Sequence, residues 1–264
     1  MKNVLITGAA SGIGKAVSEC FLKNDYQVYA IDINKIENTN NLFCFQSDIT
    51  NEEDLNKVYE YLDLNNVKLD IIINIAGIHK MASLVEDEYD KLKKVIDINL
   101  LGTMLVNNVF YKLLNPKGRI IIVTSEVASF DPMPFNGLYN VSKTALDCYS
   151  QALRQELNLL GQKVITIRPG AIETPLSSNS LKDIEDLSNN TKLYHKQASK
   201  FLKISKKFMG KPMEVNKMGK FIYKKSVKRR PKLVYKKHQN VGLVLLSVLP
   251  KSWQCKIIKI LLNK

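Results

Sequence analysis

Apolar residues along this chain fall into two kinds of run: short continuous blocks of aliphatic side chains, and longer stretches in which they recur every three or four positions. Residues 4–6, 27–31, 42–46, 70–74, 118–125 and 163–168 are of the first kind and read as strands. Within residues 70–74, the unbroken Ile71-Ile72-Ile73 is the pattern of a strand buried on both faces of a parallel sheet. Helical spacing begins at Ile13 and places Ala16, Val17, Cys20, Phe21 and Leu22 on one side; it returns over residues 52–62, 139–160 and 212–226. Residues 86–114 read as one long helix with Leu92, Val95, Ile96, Leu100, Met104 and Leu105 inward. Residues 232–235 add a seventh, edge strand. Strands alternate with helices, which predicts an α/β fold: a doubly wound parallel sheet of about seven strands with helices on both faces.

The candidate chemistry lies in the polar joints between these runs. Thr7-Gly8-Ala9-Ala10-Ser11-Gly12-Ile13-Gly14 turns the first strand into the first helix. Its glycines permit backbone angles closed to other residues and let a ligand approach the main chain, while the free N–H groups and positive end of the new helix favour an anion such as a pyrophosphate. Asp32, at the end of the second strand, stands where a dinucleotide fold puts a carboxylate that accepts from the adenosine ribose hydroxyls and repels a 2′-phosphate. Tyr139 and Lys143 are four apart and share a helical face. A free phenol has a pKa of about 10, and a desolvated ammonium beside it favours the phenolate, so the pair suits proton transfer. Asn99 lies in mid-helix, where its side chain competes for backbone hydrogen bonds.

Composition narrows the class. The 264 residues are 45% apolar and 24% charged, enough for one sizeable core. Cys20, Cys44, Cys148 and Cys255 are far apart, and the start runs into the first strand without a secretory pattern, which predicts a cytoplasmic protein with free thiols. His79, His195 and His238 form no ligand-spaced cluster with the cysteines, so no metal is expected. Charge is uneven: residues 1–174 hold 17 Lys and Arg against 21 Asp and Glu, a balance of −4, whereas residues 175–264 hold 22 against 4, a balance of +18. Such a segment is either a solvated lysine-rich face or a surface for an acidic partner, membrane lipid or nucleic acid.

The glycine spacing, in the order T-G-x-x-x-G-x-G, resembles the short-chain dehydrogenase/reductase family. So do Asp32, Asp48, Asn74-Ile75-Ala76-Gly77, Asn99, Ser125, Tyr139-x-x-x-Lys143 and Pro169-Gly170, which follow in the family's order over residues 2 to about 174. The resemblance implies a Rossmann-type fold and an oxidoreductase that interconverts a secondary alcohol and a ketone. It implies cofactor contacts at Gly8, Ser11, Gly12, Ile13, Gly14, Asp32, Asp48, Ile49, Asn74, Ala76 and Gly77, and again at Tyr139, Lys143, Pro169, Gly170, Ile172 and Thr174. Tyr139 becomes the general acid/base, Lys143 the group that lowers its pKa and holds the nicotinamide ribose, Ser125 the hydrogen-bond partner of the substrate oxygen, and Asn99 the anchor of a proton-relaying water. With no Lys or Arg at Ser11 or Ile33, NAD is favoured over NADP. Ile75 departs from the usual Asn-Asn-Ala-Gly. Thr124-Ser125-Glu126 lacks the usual serine doublet and leaves Ser125 fourteen residues before Tyr139, with Ser129 as a weaker substitute.

Residues 1–240 thus read as one catalytic domain, with a substrate-covering insertion at 177–211 anchored by Leu193, Tyr194, Phe201, Leu202 and Phe208, and residues 241–264 as an apolar, basic tail. The tail sets Val241 to Leu249, Trp253, Ile257, Ile258, Ile260 and Leu261 among Lys251, Lys256, Lys259 and Lys264. Neither piece reaches the ~20 apolar residues that span a bilayer. Two uses stay open: peripheral attachment to the inner face of an anionic membrane that also supplies a lipophilic substrate, or packing over the substrate site or in a homodimer or homotetramer interface. No specific nucleic-acid partner is expected. The alternative from another class is a non-catalytic NAD-binding regulator or scaffold with a basic surface, which has no need of the phenol–ammonium pair.

Overall fold

The computed structural model describes residues 1–208 and 211–263, apart from the side chains of Ser178, Lys207 and Phe208. Phe208 and Lys264, named above as an anchor and a tail cation, lie outside that set. Seven strands, β1 (Lys2–Thr7), β2 (Tyr26–Asp32), β3 (Leu42–Gln46), β4 (Leu69–Asn74), β5 (Leu114–Val123), β6 (Lys163–Pro169) and β7 (Val234–Lys237), form one sheet in the order β3-β2-β1-β4-β5-β6-β7. Every pairing is parallel. Strand order reverses between β1 and β4, and ligands of such sheets bind beyond the carboxyl ends of the strands at that point.

Alternation along the strands sorts the core into two layers. Leu5, Ile72, Ile120 and Ile122 point to one face and are covered by α2 (Glu52–Leu64), α4 (Thr103–Phe110) and α5 (Gly137–Leu159) through Leu55, Leu62, Phe110 and Leu146. Val4, Ile6, Ile71, Ile73 and Ile121 point to the other and are covered by α1 (Gly12–Leu22) and α8 (Val215–Ser226) through Val17, Phe21, Met218 and Ile222. Both faces of β4 are therefore dry, as its unbroken apolar run predicts, and each such side chain contributes roughly 1.5–3 kcal/mol on burial.

The long helix expected over residues 86–114 is instead broken. It runs as α3 (Tyr89–Ile96), a π-helical turn (Asp97–Gly102), α4 and a short 3-10 turn (Tyr111–Leu113), and β5 begins at Leu114. At its start Ser83 N–H donates to the Asp87 carboxylate (2.7 Å), and residues 84–87 form a turn and bend rather than helix. The apolar spacing across residues 92–105 carries little sign of the wider turn: Leu92, Val95, Ile96, Leu100 and Leu105 stay at least half-buried through it, whereas Met104, expected inward, is turned out to solvent beyond it. The 177–211 segment holds two helices, α6 (Pro175–Asn190) and α7 (His195–Phe208). Two carboxylates fasten them to the body: Asp183 accepts from Lys80 Nζ (2.5 Å) and Met81 N–H (3.2 Å), and Glu86 accepts from Lys192 N–H (2.8 Å) and Leu193 N–H (3.1 Å).

The tail forms α9 (Val241–Ser247) and α10 (Lys251–Asn263). One face of α10 lies on α7, where Leu262 is buried with Ile184 and Phe201 beside Ile258, and Gln254 Nε2 donates to Asp131 (3.1 Å). The other faces leave Val241, Leu245, Val248, Trp253, Ile260 and Leu261 exposed. Among the described residues no helix is long and apolar enough to cross a membrane.

Candidate active site

β1 ends in the glycine turn. Gly8 and Gly12 have positive φ (71° and 50°), the left-handed region closed to most side chains. A Cβ on Gly14 would fall 1.9 Å from Gly8 O, so the turn can close only with glycine there. Ser11 gives α1 no side-chain cap, and the first turn of α1 holds no acidic residue. Its N–H groups thus face outward with their partial positive charge, which fits a pyrophosphate. Thr7 Oγ1 accepts from Ile75 N–H and Ala76 N–H (3.2 Å each), tying β1 to the β4 end. Asp32 Oδ2 accepts from Ala10 N–H (2.9 Å) and Oδ1 from Asn34 N–H (2.9 Å), which fixes the carboxylate beside the turn with lone pairs left for a ribose diol.

A cavity of about 270 Å³ opens beyond the ends of β4, β5 and β6. Ser125, Tyr139 and Lys143 lie on it together with Gly77, Ile13, Pro169, Gly170, Ile172 and Thr174. The Ser125 hydroxyl is a hydrogen-bond partner of the Tyr139 phenol. Lys143 Nζ stands 5.8 Å from the Tyr139 ring centroid. Asn99, in the π-helical turn, is fully buried: its Oδ1 accepts from Ile78 N–H (2.8 Å), and its Nδ2 donates to Ile78 O (2.9 Å) and Ser142 Oγ (3.0 Å). A Cβ on Gly77 would lie 2.9 Å from Asn99 Oδ1 and 3.3 Å from Lys143 Nζ, so these groups converge on that backbone.

The electrostatics correct one expectation. Burial pushes the Tyr139 phenol up to about 12, the Ser125 hydrogen bond opposes this, and Glu126 adds to it. Burial also lowers the Lys143 ammonium to about 8. Desolvation is the largest cause of both shifts and holds the phenol protonated, a donor rather than the phenolate that a neighbouring cation favours.

Asp48, Asn74 and Ser129 are not among the residues that line this cavity, and Thr174 and Gly170, which are, also have structural partners. Asp48 accepts from Thr50 N–H and Thr50 Oγ1 (2.8 Å each) at an exposed turn before α2, next to buried Ile49. The Asn74 side chain is not part of the lining; it is buried under α4 and donates to Asn107 Oδ1 (2.9 Å), a fastening of sheet to helix. Ser129 is committed to Arg168 (2.9 Å), itself paired with Asp147 (2.6 Å), which leaves Ser125 as the serine at Tyr139. Thr174 caps α6, accepting from Ser177 N–H (3.4 Å). Gly170 is required by a neighbour as much as by any ligand, since a Cβ there would fall 1.7 Å from His238 O.

Three of the lining residues that the sequence does not assign to the site bear on the chemistry. The His79 ring stands edge-on to Tyr139 (centroids 4.1 Å apart) and bonds Asn136 (2.8 Å). Glu126 is buried in the wall. Leu243 reaches the same cavity from α9. Glu126 follows directly on Ser125 and His79 stands two residues after Gly77, which is a usable signal; Leu243 lies more than a hundred residues from Ser125 and Tyr139, and no local pattern announces it.

The model of the short chain dehydrogenase family matches residues 2–185. An NADPH-dependent 1-acyldihydroxyacetone phosphate reductase of Schizosaccharomyces pombe is 35% identical over 188 residues, 68% of this chain and 63% of that protein, so the match spans less than two thirds of the relative. A 3-ketodihydrosphingosine reductase of Bacteroides thetaiotaomicron is 25% identical over 86% of this chain and 84% of its own. A solved short chain dehydrogenase family protein from Francisella tularensis has the same fold, with a TM-score of 0.73 at 24% identity over 89% of this chain and 96% of its own.

Proposed function

Because the chain belongs to the short-chain dehydrogenase family, we propose that it interconverts a ketone and a secondary alcohol with a nicotinamide dinucleotide, and that Tyr139 moves the proton. The observation that carries this reading is the convergence of Ser125, Tyr139 and the buried Lys143 on one cavity beside the glycine turn. A bound nicotinamide gives or takes the hydride; the rest falls to this chain. The turn at Gly8, Ser11, Gly12 and Gly14 with the α1 N-terminus holds the pyrophosphate, and Asp32 the adenosine ribose. Asp48, Ile49, Ala76 and Gly77 border the adenine side, while Pro169, Gly170, Ile172 and Thr174 seat the carboxamide. Ser125 donates to the substrate oxygen, and Tyr139, held protonated by burial, delivers its proton there in the direction of reduction. Lys143 holds the nicotinamide ribose, and Asn99 orders the proton path behind it.

Asp32, with Ile33 after it, favours NAD over NADP. The substrate is lipophilic: Ile13, Ile75, Ile78, Met81, Leu176 and Leu243 line the cavity, and the two relatives named above are a 1-acyldihydroxyacetone phosphate reductase and a 3-ketodihydrosphingosine reductase. Residues 177–211 cover the site, and the chain assembles as a homodimer or homotetramer. Residues 215–264 hold 14 Lys and Arg and no Asp or Glu, around the exposed apolar side chains of α9 and α10. They attach the protein peripherally to the anionic inner face of a membrane, each nearby cation contributing roughly 1 kcal/mol. The test is turnover of secondary alcohols and ketones with NAD(H) and NADP(H), together with co-sedimentation with anionic and neutral vesicles and with duplex DNA at rising salt. A preference for NADPH removes the NAD assignment. Indifference to anionic vesicles removes the membrane, and binding to DNA instead removes it in favour of nucleic acid.

A further inference from the structure

Glu126 is a buried carboxylate on the active-site wall, and the reaction as read above has no use for it. An ionised group in such a place is unfavourable unless a partner compensates it. Its partner comes from the far end of the chain: Glu126 Oε2 accepts from Asn240 N–H at 2.6 Å. Asn240 in turn caps α9, its side-chain oxygen accepting from Leu243 N–H at 3.2 Å. Both Asn240 and Leu243 lie on the cavity that holds Ser125 and Tyr139. The approach of this segment is fixed a second time, independently, where Gly170 N–H donates to Lys237 O (2.8 Å) and His238 O occupies the space a side chain at 170 would need. The tail therefore leaves the sheet at the Pro169-Gly170 turn, meets Glu126, and begins α9 over the substrate side of the site. All of it lies beyond the residues 2–185 that the family shares.

We infer that α9 is a wall of the substrate site, latched by the Glu126 carboxylate to Asn240, and that Leu243 on it sets the length of the group the ketone can carry. This rests on reading the cavity as a ketone site. Glu126 is a positioning residue: it acts on the substrate through α9. Leu243 is the specificity-determining residue, since one or two methylenes gained or lost in an apolar pocket change kcat/KM about tenfold or more.

The experiment has two arms. In the first, kcat/KM is measured over a homologous series of straight-chain methyl ketones. Leu243→Ala moves the preference toward longer ketones and Leu243→Trp toward shorter ones, each by about tenfold between the ends of the series. Glu126→Ala flattens the length profile, and adding Leu243→Ala to it shifts the profile no further. In the second, amide hydrogen exchange is followed over residues 241–247 of the full chain, without substrate. Exchange rises about tenfold or more in Glu126→Ala and returns close to wild type in Glu126→Gln, whose amide oxygen can still accept from Asn240. An unchanged length profile in both Leu243 variants overturns the inference, as does unchanged exchange in Glu126→Ala. If the full chain reduces no ketone with either cofactor, the proposed function fails and the exchange arm alone decides the latch.

Discussion

The cofactor half and the substrate half of this molecule are held together by different means. The glycine turn, Asp32, Asn99, Ser125 and Tyr139 stand on strand ends and helix starts whose inner residues, such as Ile6, Ile73 and Ile121, are wholly buried. The substrate side is held by a few polar ties, Asp183 to Lys80 and Met81, Glu86 to residues 192 and 193, and Glu126 to Asn240, and by a cluster in which, among the described residues, Ile184, Phe201 and Leu262 are buried. Geometry that must hold to a fraction of an ångström rests on a packed core, which has few alternative arrangements. Walls that choose a substrate rest on polar ties between otherwise separate helices, and these can be changed without disturbing the chemistry.

The sharpest way to break that division is at the phenol. Tyr139→Phe keeps the ring against His79 and removes the proton donor, so turnover falls by ~10²–10⁴-fold while NADH affinity, read by fluorescence titration, changes by less than a few-fold. Near-normal turnover means that another group carries the proton. Asp32→Ala comes next. It removes an anionic acceptor from the adenosine ribose, so NADH affinity falls roughly tenfold or more and the ratio of NADH to NADPH affinity narrows, because the repelling charge has gone. Both changes leave the tail and its exchange pattern untouched if the two halves are as separate as their contacts indicate.

Most of the cofactor half was legible because its signals are local. The β–turn–α pattern at Thr7–Gly14 needs glycine within a few residues, and Tyr139 and Lys143 share a helical face by spacing alone. What was missed came from distance. Asn74 reads as a cofactor residue beside Ala76-Gly77, yet Asn107, over thirty positions later, draws its side chain under α4. The break at residues 97–102 disturbs the apolar periodicity only at Met104, and the pairing of Asn99 with Ile78 inside it is a tertiary contact. Position 170 looked like a ligand-contact glycine, and the closer constraint is the carbonyl of His238. The tail reads as a membrane anchor, or as packing over the substrate site or in a subunit interface; its contacts make one face of α10 packing and leave another open, a division that the sequence pattern of residues 241–264 does not carry.

A smaller effect separates function from stability within the site. Burial lowers the Lys143 pKa to about 8, below its ordinary value, so the folded state disfavours the ammonium. The cost to folding is therefore fully present below pH 8 and is relieved as pH rises from about 8 toward the unfolded value near 10.5. Lys143→Met, similar in length and uncharged, gains about 1–2 kcal/mol at pH 7 and loses activity; the gain shrinks between pH 8 and 10, seen as converging denaturation midpoints of variant and wild type. A variant less stable at pH 7 shows that the ammonium is compensated in place. The same value puts a fall in kcat/KM for reduction above about pH 8, where Lys143 loses its charge while Tyr139, near 12, remains protonated.

The smallest expected change tests the weak side of the comparison directly. Ile73 sits in the sheet with no exposed surface, and Ile73→Ala lowers global stability by ~2–5 kcal/mol. Leu262 is equally aliphatic and nearly as buried, but its buried neighbours are few and lie on α6 and α7. Leu262→Ala should cost about 1 kcal/mol in global denaturation, because removing it loosens a satellite cluster without opening the main core. Trp253, the single tryptophan of the chain, lies on the same helix and reports that helix alone. In Leu262→Ala its fluorescence should therefore change at lower denaturant than the far-ultraviolet circular dichroism of the whole protein, whereas in Ile73→Ala the two signals should shift together. Coincident transitions in Leu262→Ala would mean that α10 is an integral part of the core, and that the substrate half is bound to the cofactor half more firmly than its few polar ties imply.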